Sequence, residues 1–91
     1  MLGAQSKPQK VPEIIWRKED QKVLAFAPQE GKIYVLNPTA ARAWELADGT
    51  LTIAQITDRI AMEFSEARKE NVSTDLLELF GKLTEKQFVK S

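Results

Sequence analysis

The chain has 91 residues, 43% of them apolar, and its thirteen basic residues balance thirteen acidic ones. That length fits one small domain with a thin core, in which about 60–65% of the unfolded surface is buried. A zero net charge argues against partners bound through bulk charge, such as nucleic acid or an acidic membrane. The lack of cysteine and histidine excludes disulfides, thiolate nucleophiles, histidine-dependent triads and most zinc sites.

Residues 1–12 are polar, aperiodic and twice interrupted by proline (Pro8 and Pro12), so they are expected to form a flexible tail ahead of a domain over 13–91. They lack the apolar run of a signal peptide, and no apolar stretch reaches the roughly 18–20 residues needed to span a bilayer. A cytoplasmic protein with no membrane partner is expected. Three strand-like runs follow: Glu13 to Arg17, Lys22 to Ala27 and Lys32 to Leu36. Glu19-Asp20-Gln21 and Pro28-Gln29-Glu30-Gly31 supply the turns, with Gly31 suited to a left-handed position. An antiparallel three-stranded meander results.

The hydrophobic period then changes from two to 3.6. Asn37 can cap a helix whose first residue is Pro38, and Ala40, Ala43, Trp44 and Ala47 fall on one face. Trp44 is expected in the core, its indole N–H seeking a partner. Asp48-Gly49 ends this helix. Thr52-x-x-Gln55 is a capping box for a second helix whose stripe is Ile53, Ile56, Ile60 and Phe64. The third helix starts either at a Ser65 cap or as a restart near Asn71–Thr74. Val72, Leu76, Leu79, Phe80 and Leu83 hold one of its faces, Gly81 is expected where something packs close, and Phe88-Val89 folds back onto the core. The order β-β-β-α-α-α makes an α+β domain, similar to a winged helix-turn-helix with its strands first.

Little here supports catalysis. The carboxylates sit on polar helix faces or in turns, no glycine loop could cradle a phosphate, and no catalytic residue, metal ligand or cofactor site is expected. A winged-helix DNA-binding or transcription-regulatory domain is the alternative reading. Over residues 66–86, however, four cations face five carboxylates, a poor start for collecting phosphate contacts, so no nucleic-acid partner is expected. A meander ending at Leu36 leaves a strand edge that can accept an extended peptide. In that strand Tyr34 and Leu36 should enter the core, leaving Ile33 and Val35 to line a shallow surface. Helices covering both faces, or edge pairing within a homodimer, would also satisfy the pattern, and on pattern alone they outweigh a peptide groove.

The run from Gly31 through Leu36-Asn37-Pro38-Thr39-Ala40 and Trp44-Glu45-Leu46 to Asp48-Gly49, followed by Thr52-Ile53 and Ile56, resembles the coenzyme PQQ synthesis protein D (PqqD) family in order and spacing. The likeness extends over about residues 14–89. The resemblance implies three strands then three helices, and a non-enzymatic peptide chaperone, also called a RiPP recognition element. Such proteins bind the leader of a ribosomally made precursor peptide and deliver it to a modifying enzyme, often a radical SAM enzyme, in PQQ biosynthesis or another peptide pathway. The leader adds to the third strand and lies against the last helix. Carried onto this sequence, the peptide-binding residues are Lys32, Ile33, Tyr34, Val35 and Leu36, with Val72, Asp75, Leu76 and Leu79 as the wall.

Overall fold

The computed structural model describes residues 2–64, 66 and 68–90. Its elements are β1 (Gln9–Lys10), β2 (Ile15–Glu19), β3 (Lys22–Ala27), β4 (Lys32–Leu36), α1 (Pro38–Leu46), α2 (Ile53–Glu63), α3 (Lys69–Glu85) and β5 (Val89–Lys90). β2, β3 and β4 form an antiparallel sheet in that order, and β1 pairs antiparallel with β5. This is the expected α+β meander followed by three helices. The second and third strands fall on the expected residues. The first lies two residues later than Glu13–Arg17, because the turn contracts to Asp20-Gln21. Asp20 takes φ 56° there, which a two-residue hairpin turn requires and aspartate tolerates.

The sheet buries one face. Val23, Ala25 and Ala27 of β3 point into the core while Leu24 and Phe26 stay half-buried on the other side. The helices pack on the first face, and their starts are fixed locally. The Asn37 carboxamide accepts from the Ala40 amide at 2.9 Å with Pro38 in the first turn. The Thr52 hydroxyl accepts from the Gln55 amide at 3.1 Å, and the Gln55 side chain accepts from the Thr52 amide at 2.8 Å. Arg42 of α1 clamps Glu63 of α2 through two bonds of 2.7 and 3.1 Å.

α3 is one continuous helix from Lys69, so no restart occurs at Asn71–Thr74; Arg68 precedes it without a side-chain cap, and the alternative Ser65 cap lies outside the described residues. The helix closes in a Schellman turn. The Phe88 amide donates to Leu83 O at 2.8 Å, the Gln87 amide to Thr84 O at 3.0 Å, and Gln87 occupies the left-handed position at φ 64°. That turn drops Phe88 and Val89 into the core, as expected. Gly81 departs from expectation: a methyl group there would meet nothing within 4 Å.

The largest correction concerns the expected tail over residues 1–12, whose described residues from Ala4 to Val11 are docked on the domain. Pro8 is buried, and its carbonyl accepts from the Gly49 amide at 3.0 Å. The Lys10 amide donates to Ala47 O, while Ser6 O and Ala4 O accept from the Ile53 and Ala54 amides, all at 2.9 Å. Those two amides belong to the first turn of α2, which has no intrahelical acceptors for them. Lys10 Nζ donates to Trp44 O, Glu45 O and Ala47 O at 3.0–3.1 Å, satisfying carbonyls at the C-terminus of α1. The segment therefore ties the end of one helix to the start of the next. Its polarity is what helix ends require, which is why it reads as a tail when viewed without them.

Candidate functional site

β4 is the edge where the meander ends, and among the described residues no strand pairs with its outer side. Its hydrogen-bonding direction follows from register. Glu19 and Lys22 close a two-residue turn, so they form a hydrogen-bonded pair. Alternation along β3 then aims the backbone groups of Val23, Ala25 and Ala27 at β4, where they meet Leu36, Tyr34 and Lys32. The N–H and C=O groups of Ile33 and Val35 consequently point away from the sheet, at the open edge. The side chains of Ile33 and Val35 lie on the uncovered face, 64% and 61% exposed, whereas Leu36 is buried and Tyr34 half-buried. This matches the expected division between inward and outward residues.

Aromatic packing fixes this edge against the C-terminal end of α3. The Tyr34 ring meets Phe88 edge-on with centroids 5.2 Å apart. Phe88 meets Trp44 at 6.4 Å, and Trp44 meets Trp16 at 6.1 Å. Trp44 is fully buried as expected, but its indole Nε1 finds no hydrogen-bond partner among the described residues. Tyr34 donates from its hydroxyl to Glu30 at 2.8 Å and accepts from Lys86 Nζ at 3.3 Å. Lys86 also lies 4.8 Å from the Tyr34 ring centre. The bond to Tyr34 holds the Lys86 ammonium above its usual pKa.

Beyond Leu36 the chain turns at Asn37 into α1, and an open trough of about 540 Å³ lies between that turn and α3. Val72, Asp75, Leu76 and Leu79 all line it, so the four residues assigned to the helical wall do lie on one surface. Val72 and Leu76 are almost wholly buried and contribute only their edges, while Asp75 is exposed and Leu79 half-exposed. None of Lys32, Ile33, Tyr34, Val35 or Leu36 lines the trough. The strand is instead an edge leading toward it. The other wall consists of Asn37, Thr39 and Ala40, with Asn71 and Lys82 further along α3. These residues were missed. The α3 pair could have been found from the spacing, since 71, 75, 79 and 82 recur at three or four residues on one helix face. Asn37 was hidden by its capping role.

The arrangement offers main-chain donors and acceptors along β4, an apolar floor in the trough, and carboxylates and cations at its rim. Among the described residues it holds no nucleophile–base pair. Among the described residues no group of three or more acidic side chains is placed to hold a metal ion, and no helix is long and apolar enough to cross a membrane.

A three-stranded meander backed by three helices, with one strand edge open beside the last helix, defines a small α+β domain of winged-helix-like build. Residues 22–89 match the family model described as coenzyme PQQ synthesis protein D (PqqD), and the chain belongs to that family. No curated protein matches it. Two solved structures share its fold at 20% identity and a TM-score of 0.78. One is TbiB1 in complex with the TbiA(beta) leader peptide, where the match covers 91% of this chain and 95% of that one. The other is lasso peptide synthetase B1 complexed with the leader peptide, covering 94% and 100%.

Proposed function

We propose that this protein is a non-enzymatic peptide chaperone that holds the leader of a ribosomally made precursor as a strand added to β4 and presents it to a modifying enzyme. The observation that carries this reading is the pair of outward-facing peptide groups at Ile33 and Val35 on an edge that leads to the α3 trough. An extended segment satisfies those groups without regard to its sequence, and side-chain pockets beside the strand supply selectivity. Membership of the PqqD family supports the reading, as do two fold relatives solved with leader peptides bound. The receiving enzyme would be a radical SAM enzyme or another peptide-modifying catalyst, acting in the cytoplasm in PQQ biosynthesis or a related pathway. A DNA-binding role is disfavoured by charge: between Lys69 and Glu85, α3 carries two lysines against four carboxylates.

The test is Val35→Pro. Proline removes an outward amide that serves no partner in the β3–β4 ladder, so the sheet should survive. Calorimetry with a synthetic leader segment of a candidate precursor peptide should show binding to the wild type and none to the variant, with unchanged circular dichroism. Equal affinities would remove β4 as the docking edge.

A further inference from the structure

The face of the sheet turned away from the helices carries two cross-strand rows. Ile15, Phe26 and Ile33 stand opposite one another, and Arg17, Leu24 and Val35 form the second row. Ile15, Ile33 and Val35 are each more than 60% exposed, and a shallow depression of about 210 Å³ runs over part of this surface. Nothing in the chemistry of a solvated sheet face calls for apolar residues at five of six consecutive positions, because an antiparallel sheet with one wet face normally alternates to polar side chains there. Both rows stop at β4, the edge that remains open.

We propose that Ile33 and Val35 are specificity-determining residues that read the solvent-side face of the bound strand and select a peptide with two β-branched or aromatic residues at positions i and i+2. This rests on the strand-addition reading above. Directly opposed residues in a sheet share a face. The ligand residues opposite Ile33 and Val35 must therefore stand on the uncovered face, two apart, whatever the intervening residue does toward the trough. An apolar pair there extends both rows by one strand and covers Ile33 and Val35. A polar pair leaves them in water. The trough alone would recognise alternate ligand residues on one side only, so the outward pair gives a second, independent set of contacts.

The experiment selects binders to the 91-residue protein from an mRNA-displayed library of random twelve-residue peptides. Fluorescence anisotropy then measures the recovered peptides against wild type, Val35→Pro and the double variant Ile33→Thr/Val35→Thr. Threonine keeps the β-branched shape at exposed positions, so the fold is retained. The expected result is recovery of peptides with β-branched or aromatic residues at i and i+2. Their binding is lost in Val35→Pro and weakened about five- to tenfold in the double threonine variant, from two cross-strand pairs. Serine at the same two peptide positions should weaken wild-type binding equally and add little in the double variant. Peptides that need Val35→Pro-sensitive docking but ignore the threonine changes would overturn this proposal and leave strand addition standing. Recovered peptides all indifferent to Val35→Pro would overturn strand addition and this proposal with it. A sedimenting dimer dissolved by the double threonine variant would assign the rows to a second copy and overturn the proposal on different grounds.

Discussion

Residues 4–10 and the strand β4 are both short segments at the periphery of one domain, and they treat their backbones in opposite ways. In the N-terminal segment, carbonyls of Ala4, Ser6 and Pro8 and the amide of Lys10 are engaged by other parts of the chain. In β4, the groups of Ile33 and Val35 are left facing outward. A segment docked on helix ends stabilises the domain by satisfying groups that the helices cannot satisfy themselves. One with a free side offers the same kind of group to something else. The difference separates a structural role from a binding role more clearly than burial or sequence does.

The sharpest way to break this contrast is to delete residues 1–10. The deletion strips acceptors from Ile53 and Ala54, removes the Lys10 ammonium from the end of α1 and uncovers Val89 and the Trp44 neighbourhood. Several kcal/mol should be lost out of a total of about 5–15 for a domain of this kind. Urea titration should find a much lower midpoint or no cooperative transition. If the segment were a tail, the midpoint would not move. Lys10→Met is the milder version. It keeps the apolar stem against Trp16 and Trp44, whose ring centres lie 5.7 and 6.0 Å from Nζ, but deletes the donor to three carbonyls. A loss of about 1–2 kcal/mol is expected, since hydrogen bonds to charged groups are worth more than neutral ones. Leader binding by the folded fraction should be unchanged.

What the sequence reveals follows the range of the interaction. Strands Lys22–Ala27 and Lys32–Leu36, the Asn37-Pro38 start and the Thr52–Gln55 box depend on neighbours within a few residues, and each is found where the pattern places it. The docked N-terminus is invisible because its two-residue strand pairs with the far end of the chain, and its polar character mimics disorder. For the candidate site, the apolar alternation of β4 gives the edge and the outward pair. The trough is less legible, because it joins the turn at Asn37 to a helix that starts more than thirty residues later. Gly81 illustrates the limit from the other side. A lone glycine in a helix suggests close approach, yet nothing approaches it. Gly81→Ala should therefore raise stability by about 0.5–1 kcal/mol through helix propensity and a less flexible unfolded chain. A rise of a few degrees in Tm with unaltered peptide affinity is expected, and a fall would mean that a partner comes close there.

The finest probe of the contrast is alkaline titration of two lysines, Lys10 in the N-terminal segment and Lys86 beside the β4 edge. Burial pushes Lys10 below the usual 10.5, with Asp48 and Glu45 opposing the shift. The hydrogen bond to Tyr34 pushes Lys86 above 10.5, helped by the nearby charge of Glu30. The two signs have opposite consequences. A lysine depressed by folding makes the unfolded state bind more protons, so its contribution to stability grows as pH rises from its folded pKa to 10.5. A lysine raised by folding contributes fully below 10.5 and loses that contribution as pH climbs through its folded pKa. Following the lysine side-chain Cε signals by NMR, Lys10 should titrate at a lower pH than Lys86. In Lys10→Met the early alkaline gain should vanish. In Tyr34→Phe, which removes the hydroxyl but keeps the ring against Phe88, Lys86 should move back toward 10.5 while Lys10 stays where it was. A common midpoint for both lysines would mean that Lys10 is not desolvated against the end of α1 and that the Tyr34 hydroxyl does not hold the Lys86 ammonium.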